Sequence, residues 1–464
     1  MSTQLSGPTY TGDLGGGLIR RWSTRADQAG IAHLLSHVFR DGPDDPPNVR
    51  SVDVARILMN GDFPYMGPGD FAIVEDTSWP GSPIVACTCL WRLRWRYGGI
   101  PLDVGQPEMV ATDAAYRKRG LARALFEMVE ARSTAEGRLV LAITGIRYFY
   151  RKFGYEYALD LEGGRQVPVG AIPEQPKGES ETCSLRLATV DDIPELMRLY
   201  DLPSGASFVW NEATEAFWRH HITSWDEPIV REVGPTGTAL YGRLHMILDR
   251  GGQVMGYAFL AAKRWGSDMV VFALQLDDKV NWQAAASCLL RALRAYGQQV
   301  PAIGEAAKPF SGIFFNVGRS HPLFDVLRDT VPMREESPYA WYVRVPDIPA
   351  FLRHVAPVLE TRLARSIMPG YTGEVKIDFY RYGLRLQFSE GKLVMVEPWQ
   401  APLYGNDANA GFPPHVFLQL VFGYRSLDEL SAFLPDAWAG PAATVLLNAV
   451  FPKQPSVVYP LCTL

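Results

Sequence analysis

Little in this 464-residue chain invites metal or disulfide chemistry. Its five cysteines (Cys87, Cys89, Cys183, Cys288 and Cys462) are an odd number with no CxxC pair and no zinc-ligand spacing. Its eight histidines form no HExxH-like cluster, so no metal site is expected. Cys87 and Cys89 stand two apart and are expected on one face of a strand as packed thiols. No apolar run reaches bilayer length, and residues 1–8 have neither the basic nor the apolar region of a secretion signal. The expectation is therefore a cytoplasmic chain with no membrane attachment. Charge of one sign is missing too: 45 Lys and Arg against 50 Asp and Glu leave a formal −5, so nothing global recruits nucleic acid.

What is present is a small-residue turn opening a helix behind a strand. Residues 108–112 read as the strand, and Leu121, Ala124, Leu125, Met128 and Val129 recur at one-turn spacing after it. Between them lies Arg117-Lys118-Arg119-Gly120-Leu121-Ala122. The first turn of a helix carries N–H groups without intrahelical partners, and Gly120 has no Cβ to keep an anion from them. Such a turn suits a pyrophosphate.

Two stretches frame that turn: Val110 to Arg117 upstream, and Tyr148-Phe149-Tyr150-Arg151-Lys152-Phe153-Gly154-Tyr155 downstream, after an apolar run over 139–144. The ordered set resembles motifs A and B of the GCN5-related (GNAT) acyl-CoA N-acyltransferases, over roughly residues 18–165. The resemblance implies a mixed α/β fold and transfer of an acetyl group from acetyl-CoA to a primary amine, on a small molecule or a lysine, by direct attack in a ternary complex. A longer acyl-CoA is a variant of that expectation. The alternative is a non-catalytic acyl-CoA or lipid sensor.

Length alone suggests about three domains at roughly 100–200 residues each. A repeat supports two: Arg21-x-x-Thr24-x-x-Asp27 is matched by Arg186-x-x-Thr189-x-x-Asp192, each read as a strand, a cap and an amphipathic helix. The expected organisation is a flexible tail (1–17), a catalytic GNAT domain (18–165), a linker (166–182), a degenerate second GNAT-like domain (183–345) and a third α+β unit (346–464). In the second copy Leu276-Asp277-Asp278-Lys279 stands where the first has Arg-Lys-Arg-Gly, and two carboxylates would repel a pyrophosphate. The third unit, a helix over 348–365 followed by three alternating runs, is similar to the sterol-carrier-protein-like domain that ends the Eis-like branch of the superfamily. Homo-oligomeric assembly is left open.

The resemblance distributes roles. Backbone N–H groups of the strand at Met109, Val110 and Thr112 would meet the acyl carrier and the oxyanion. Amides from Lys118 through Arg119, Gly120, Leu121 and Ala122 to Arg123 would hold the phosphates, with Arg117, Lys118, Arg119 and Arg123 adding charge. Tyr150 would protonate the leaving thiolate, with Tyr148, Tyr155 and Tyr157 read as packing. As base, the terminal carboxylate at Leu464 is placed ahead of Glu108, because residues 457–464 are apolar and Pro-stiffened, as suits a tail that docks. Arg92, Arg94 and Arg96, alternating with Trp91 and Trp95, read as an amphipathic strand rather than a nucleic-acid surface.

Overall fold

Short alternating runs punctuated by left-handed glycines give many strands, gathered into three sheets of a mixed α/β architecture. The computed structural model describes residues 2–304, 306–402 and 407–459. Through Leu161 the order is α1 (Ser2–Leu5), β1 (Thr11–Gly15), β2 (Leu18–Trp22), α2 (Gln28–Val38), α3 (Val49–Met59), β3 (Phe71–Asp76), β4 (Ile84–Tyr97), β5 (Ile100–Thr112), α4 (Leu121–Ala135), β6 (Val140–Ile143) and β7 (Glu156–Leu161). Next come β8 (Gly164–Pro168), β9 (Cys183–Leu187), α5 (Ile193–Asp201), β10 (Val209–Asn211), α6 (Glu215–Thr223), α7 (Pro228–Gly237) and β11 (Gly242–Asp249). The second stretch closes with β12 (Val254–Ala261), β13 (Asp268–Leu276), α8 (Trp282–Gly297), β14 (Gly312–Phe315), α9 (Pro322–Leu327), β15 (Arg334–Glu336) and β16 (Tyr339–Arg344).

The first sheet runs β1-β2-β3-β4-β5-β6-β16-β7 and the second β15-β8-β14-β13-β12-β11-β9. The first sheet thus takes β16 from the second stretch of chain, and β10 from the same stretch pairs with β4. β16 sits between β6 and β7, with Tyr342 facing Ile143 on one side and Tyr157 on the other. β8 pairs with β14, Val167 opposite Ile313. Gly164 permits that pairing, since a Cβ there would lie 1.9 Å from the Phe315 carbonyl oxygen. Residues 166–168, read from sequence as linker, are therefore sheet. The N-terminal stretch is not loose either: β1 pairs with β2 from Thr11↔Arg21 to Gly15↔Leu18, and Trp22 Nε1 donates to the Leu5 carbonyl at 2.8 Å.

The repeated brace folds the same way twice. Arg21 and Arg186 each fork onto the aspartate six residues on (2.7–2.9 Å), and the Thr24 and Thr189 N–H groups donate to those same carboxylates at 2.7 Å. The strand-to-helix turn is closed by a bidentate ion pair plus a capping box. Cys87 and Cys89 are free thiols buried on β4, and Cys183 is joined to Cys288 across β9 and α8.

In the third unit α10 (Ile348–Ala364) covers the meander β17 (Gly373–Asp378), β18 (Gly383–Ser389) and β19 (Lys392–Trp399). The long β4–β5 hairpin reaches it: Tyr97 Oη donates to the Val421 carbonyl at 2.6 Å, and His354 Nε2 lies 2.8 Å from the Pro101 carbonyl. One buried apolar cluster includes residues from all three units. Among the described residues no helix is long and apolar enough to cross a membrane.

Candidate functional site

The start of α4 is open. Gly120 takes φ +79° and no side chain caps the helix, so its first N–H groups face outward unsatisfied by protein. Leu121, Leu125, Met128 and Val129 are buried and fix the helix against the sheet. The structure refines the role of the glycine: a Cβ there would meet nothing within 4 Å, and the left-handed backbone is what demands it. Ala122 follows in the first turn, half-buried. Arg117, Lys118, Arg119 and Arg123 are exposed and have no ion pair among the described residues. Arg119 rests on the Tyr116 ring at 4.8 Å and Arg123 on Phe153 at 5.4 Å, which orients both without neutralising them. By contrast Arg92, Arg94 and Arg96 all face carboxylates: Asp70 and Glu136; Asp103 and Glu212; Asp201 and Glu212.

Beside this helix β5 loses its neighbour. It pairs with β6 only at Val104 and Gly105, so its edge from Gln106 onward forms a notch. A bulge sits in that edge, where the register against β4 slips between Cys87 and Cys89 and Met109 takes φ +52°. The Met109 carbonyl faces Cys87 Sγ on β4 at 3.5 Å, and a trans peptide sets the Val110 N–H on the opposite side, into the notch. The Thr112 carbonyl accepts from Arg117 Nε at 3.4 Å.

The Met109 N–H is engaged differently, on the Glu108 carboxylate, which Gln106 Nε2 also holds at 2.7 Å. Burial pushes the Glu108 carboxyl up to about 7, against the pull of those two hydrogen bonds. Tyr150 opens a short 3₁₀ turn, Tyr150–Phe153, buried among Phe126, Phe149, Tyr155 and Tyr342. Burial first, then the charge of Glu108 and the nearby Tyr339, holds its phenol well above the ordinary value, and its hydroxyl has no hydrogen-bond partner among the described residues. Tyr150 and Glu108 therefore share one neighbourhood, a protonated phenol and a carboxylate poised near neutrality.

Of the other tyrosines, Tyr155 is buried packing, as expected, and Tyr148 is 70% exposed. Tyr157 is more than packing: its hydroxyl lies 2.6 Å from that of Tyr342 and 3.0 Å from that of Tyr339. Tyr339, Tyr342 and Gln106 were not singled out from sequence. The two tyrosines come from β16, and nothing local announces that this strand enters the first sheet. Leu464 lies outside the described residues. The tail leading to it is docked: Val457 bridges to Trp210, Asn211 Nδ2 donates to the Tyr459 carbonyl at 2.9 Å, and Trp341 Nε1 donates to the Val458 carbonyl at 3.1 Å.

The equivalent place in the second sheet is closed. Asn281 caps α8, accepting from Gln283 and Ala284 N–H at 2.9 and 3.2 Å. Asp277 is paired to Arg198. Where β13 parts from β14, His321 fills the gap, its Nε2 2.9 Å from the Leu274 carbonyl while Nδ1 accepts the Leu323 N–H. One tautomer, protonated on Nε2, satisfies both, and burial lowers the ring's pKa to about 4.

Residues 20–158, which contain the open helix start, the notch and Tyr150, match the acetyltransferase (GNAT) domain model. The chain thus carries a GNAT acetyltransferase domain. No curated protein matches it. Its overall fold is similar to those of a GCN5-related N-acetyltransferase from Anabaena variabilis ATCC 29413 (14% identity, TM-score 0.62, 95% of this chain and 99% of that one) and one from Kribbella flavida (17%, 0.60, 95% and 97%). It is also similar to that of Eis1 from Mycobacterium abscessus (13%, 0.57, 95% and 99%).

Proposed function

We propose that the protein is an acetyl-CoA-dependent N-acetyltransferase acting on a primary amine, of a small molecule or a lysine, by direct attack in a ternary complex. The observation that carries this reading is the unpaired edge of β5 lying beside the uncapped start of α4, with Tyr150 and Glu108 at the same place. The residues present fit the co-substrate: free N–H groups and four unpaired cations suit a diphosphate, and an unpaired strand edge suits an amide-bearing arm. Acetyl-CoA supplies the activated acyl group.

The chain supplies the rest. Glu108, with a carboxyl near 7, takes the proton that an incoming ammonium must lose. The Val110 N–H polarises the carbonyl oxygen, and a pre-placed donor of this kind is worth roughly 3–4 kcal/mol of barrier. Tyr150 returns a proton to the leaving sulfur, and the burial that raises its phenol would raise a thiolate beside it as well. Leu464 belongs to the same proposal as a second candidate base. The third unit is proposed to be sterol-carrier-protein-like in form, acting as a wall rather than a lipid carrier, and the second unit as a scaffold that binds no cofactor. The test is release of free thiol from acetyl-CoA across a panel of primary amines: amine-dependent release supports the reading. Tight CoA binding without release for any amine would favour a sensor.

A further inference from the structure

Between β6 and the Tyr150 turn runs a loop, residues 144–149, whose conformation needs support. Gly145 takes φ +113° and Tyr148 φ +63°, the latter a left-handed backbone that a bulky residue rarely adopts. Residues 145–148 are exposed, Ile146 by 60% and Tyr148 by 70%, so burial of their side chains does not hold the loop. Its backbone is held instead by two hydroxyls. The Tyr148 N–H donates to Tyr157 Oη at 2.8 Å, and Tyr342 Oη donates to the Ile146 carbonyl at 3.1 Å.

Those hydroxyls belong to one cluster. A single assignment uses every proton once: Tyr339 Oη donates to Tyr157 Oη (3.0 Å), Tyr157 Oη to Tyr342 Oη (2.6 Å), and Tyr342 Oη to the Ile146 carbonyl. Tyr157 thus accepts two hydrogen bonds and donates one. Burial resists its ionisation, yet its hydrogen bonding with Tyr339, Tyr342 and the Tyr148 N–H holds its phenol below the ordinary value. The loop's other end adjoins Tyr150: a Cβ built on Gly145 would stand 3.6 Å from Tyr150 Oη, and the Tyr342 ring meets the Tyr150 ring edge-on at 5.3 Å. Any slackening at Tyr148 would move the Tyr150 turn that follows it directly.

We infer that Tyr157 is a positioning residue: with Tyr339 and Tyr342 it pins the 144–149 loop and so sets the Tyr150 phenol beside the notch in β5. This rests on the reading of Tyr150 as proton donor. Because Tyr339 and Tyr342 lie on the exchanged strand β16, the second stretch of chain thereby sets the geometry of the first domain's reacting group.

The test is Tyr157→Phe, which keeps the ring and removes the hub, with Tyr342→Phe as a second variant that frees Ile146 and removes the Tyr157–Tyr342 hydrogen bond but leaves the Tyr148 N–H on Tyr157. Hydrogen exchange at the Tyr148 amide is expected to speed up about tenfold or more in Tyr157→Phe. In the same variant kcat is expected to fall about tenfold while KM for acetyl-CoA stays within about twofold, since a misplaced proton donor costs turnover rather than binding. Tyr342→Phe should show the same split more weakly and decides the matter should Tyr157→Phe not fold. Unchanged exchange at Tyr148, or faster exchange with wild-type kcat, would overturn the inference. If the wild-type protein turns over no amine, the proposed function fails, and the exchange rate still decides whether the hydroxyls pin the loop.

Discussion

The helix starts at Leu121 and Trp282 occupy equivalent places in two sheets braced by the same Arg-Thr-Asp arrangement, and they differ in what they leave open. At the first, a left-handed glycine leaves the N–H groups bare and the neighbouring strand edge unpaired. At the second, Asn281 caps the helix and His321 fills the gap beside Leu274. The brace that shapes the turn is present in both; the features that invite a ligand are present in one. A capped helix is worth about 1 kcal/mol more than an uncapped one, so the first unit forgoes stability at the place where an anion could restore it.

The comparison can be broken most severely at the chemistry. Glu108→Gln should lower kcat about a hundredfold or more with little effect on melting temperature. In the wild type kcat/KM should climb as pH rises through about 7, where the Glu108 carboxyl ionises. That limb should vanish in the variant; a pH profile shared by both would remove Glu108 from the mechanism.

Next in size is the plug. His321 has a folded pKa near 4 against an ordinary 6.5, so the unfolded chain takes up its proton first. Its contribution, about 3 kcal/mol, is whole above pH 6.5 and lost as the pH falls towards 4. His220 and His245, also lowered to about 4 by burial, act in the same direction. Denaturant titrations of His321→Gln at pH 7.5 and 4.5 should show a less stable protein with a shallower acid dependence. An unchanged acid slope would mean that the ring is not buried neutral.

A smaller effect sharpens the contrast at Gly120. Gly120→Ala forces a side chain into φ +79° at a cost of about 1–2 kcal/mol and should weaken CoA binding about tenfold, read by calorimetry. Smallest is Asn281→Ala, expected to cost about 1 kcal/mol of stability and to leave CoA affinity unchanged. A loss of CoA affinity there would show that the second helix start also serves the cofactor.

Much of this was legible in the chain because it is local. The helix from Leu121 follows from the spacing of Leu121, Leu125, Met128 and Val129, the turn from Gly120, and the doubled brace from identical spacings at Arg21 and Arg186. What escaped depends on partners far along the chain. Residues 166–168 read as linker because their pairing with Gly312, Ile313 and Phe314 has no local signature. The carboxyl of Glu108 moves towards neutrality only through burial, which no spacing encodes, and Tyr339 and Tyr342 matter only because their strand crosses into the other sheet.

That crossing has a consequence for biogenesis. β6 and β7 flank β16 and cannot be joined until residues 339–344 have emerged from the ribosome. At 5–20 residues per second the interval after Leu161 lasts roughly ten to forty seconds, during which a nascent first sheet carries two bare edges. The amino-terminal half cannot complete itself early, and both halves must mature as one cooperative event.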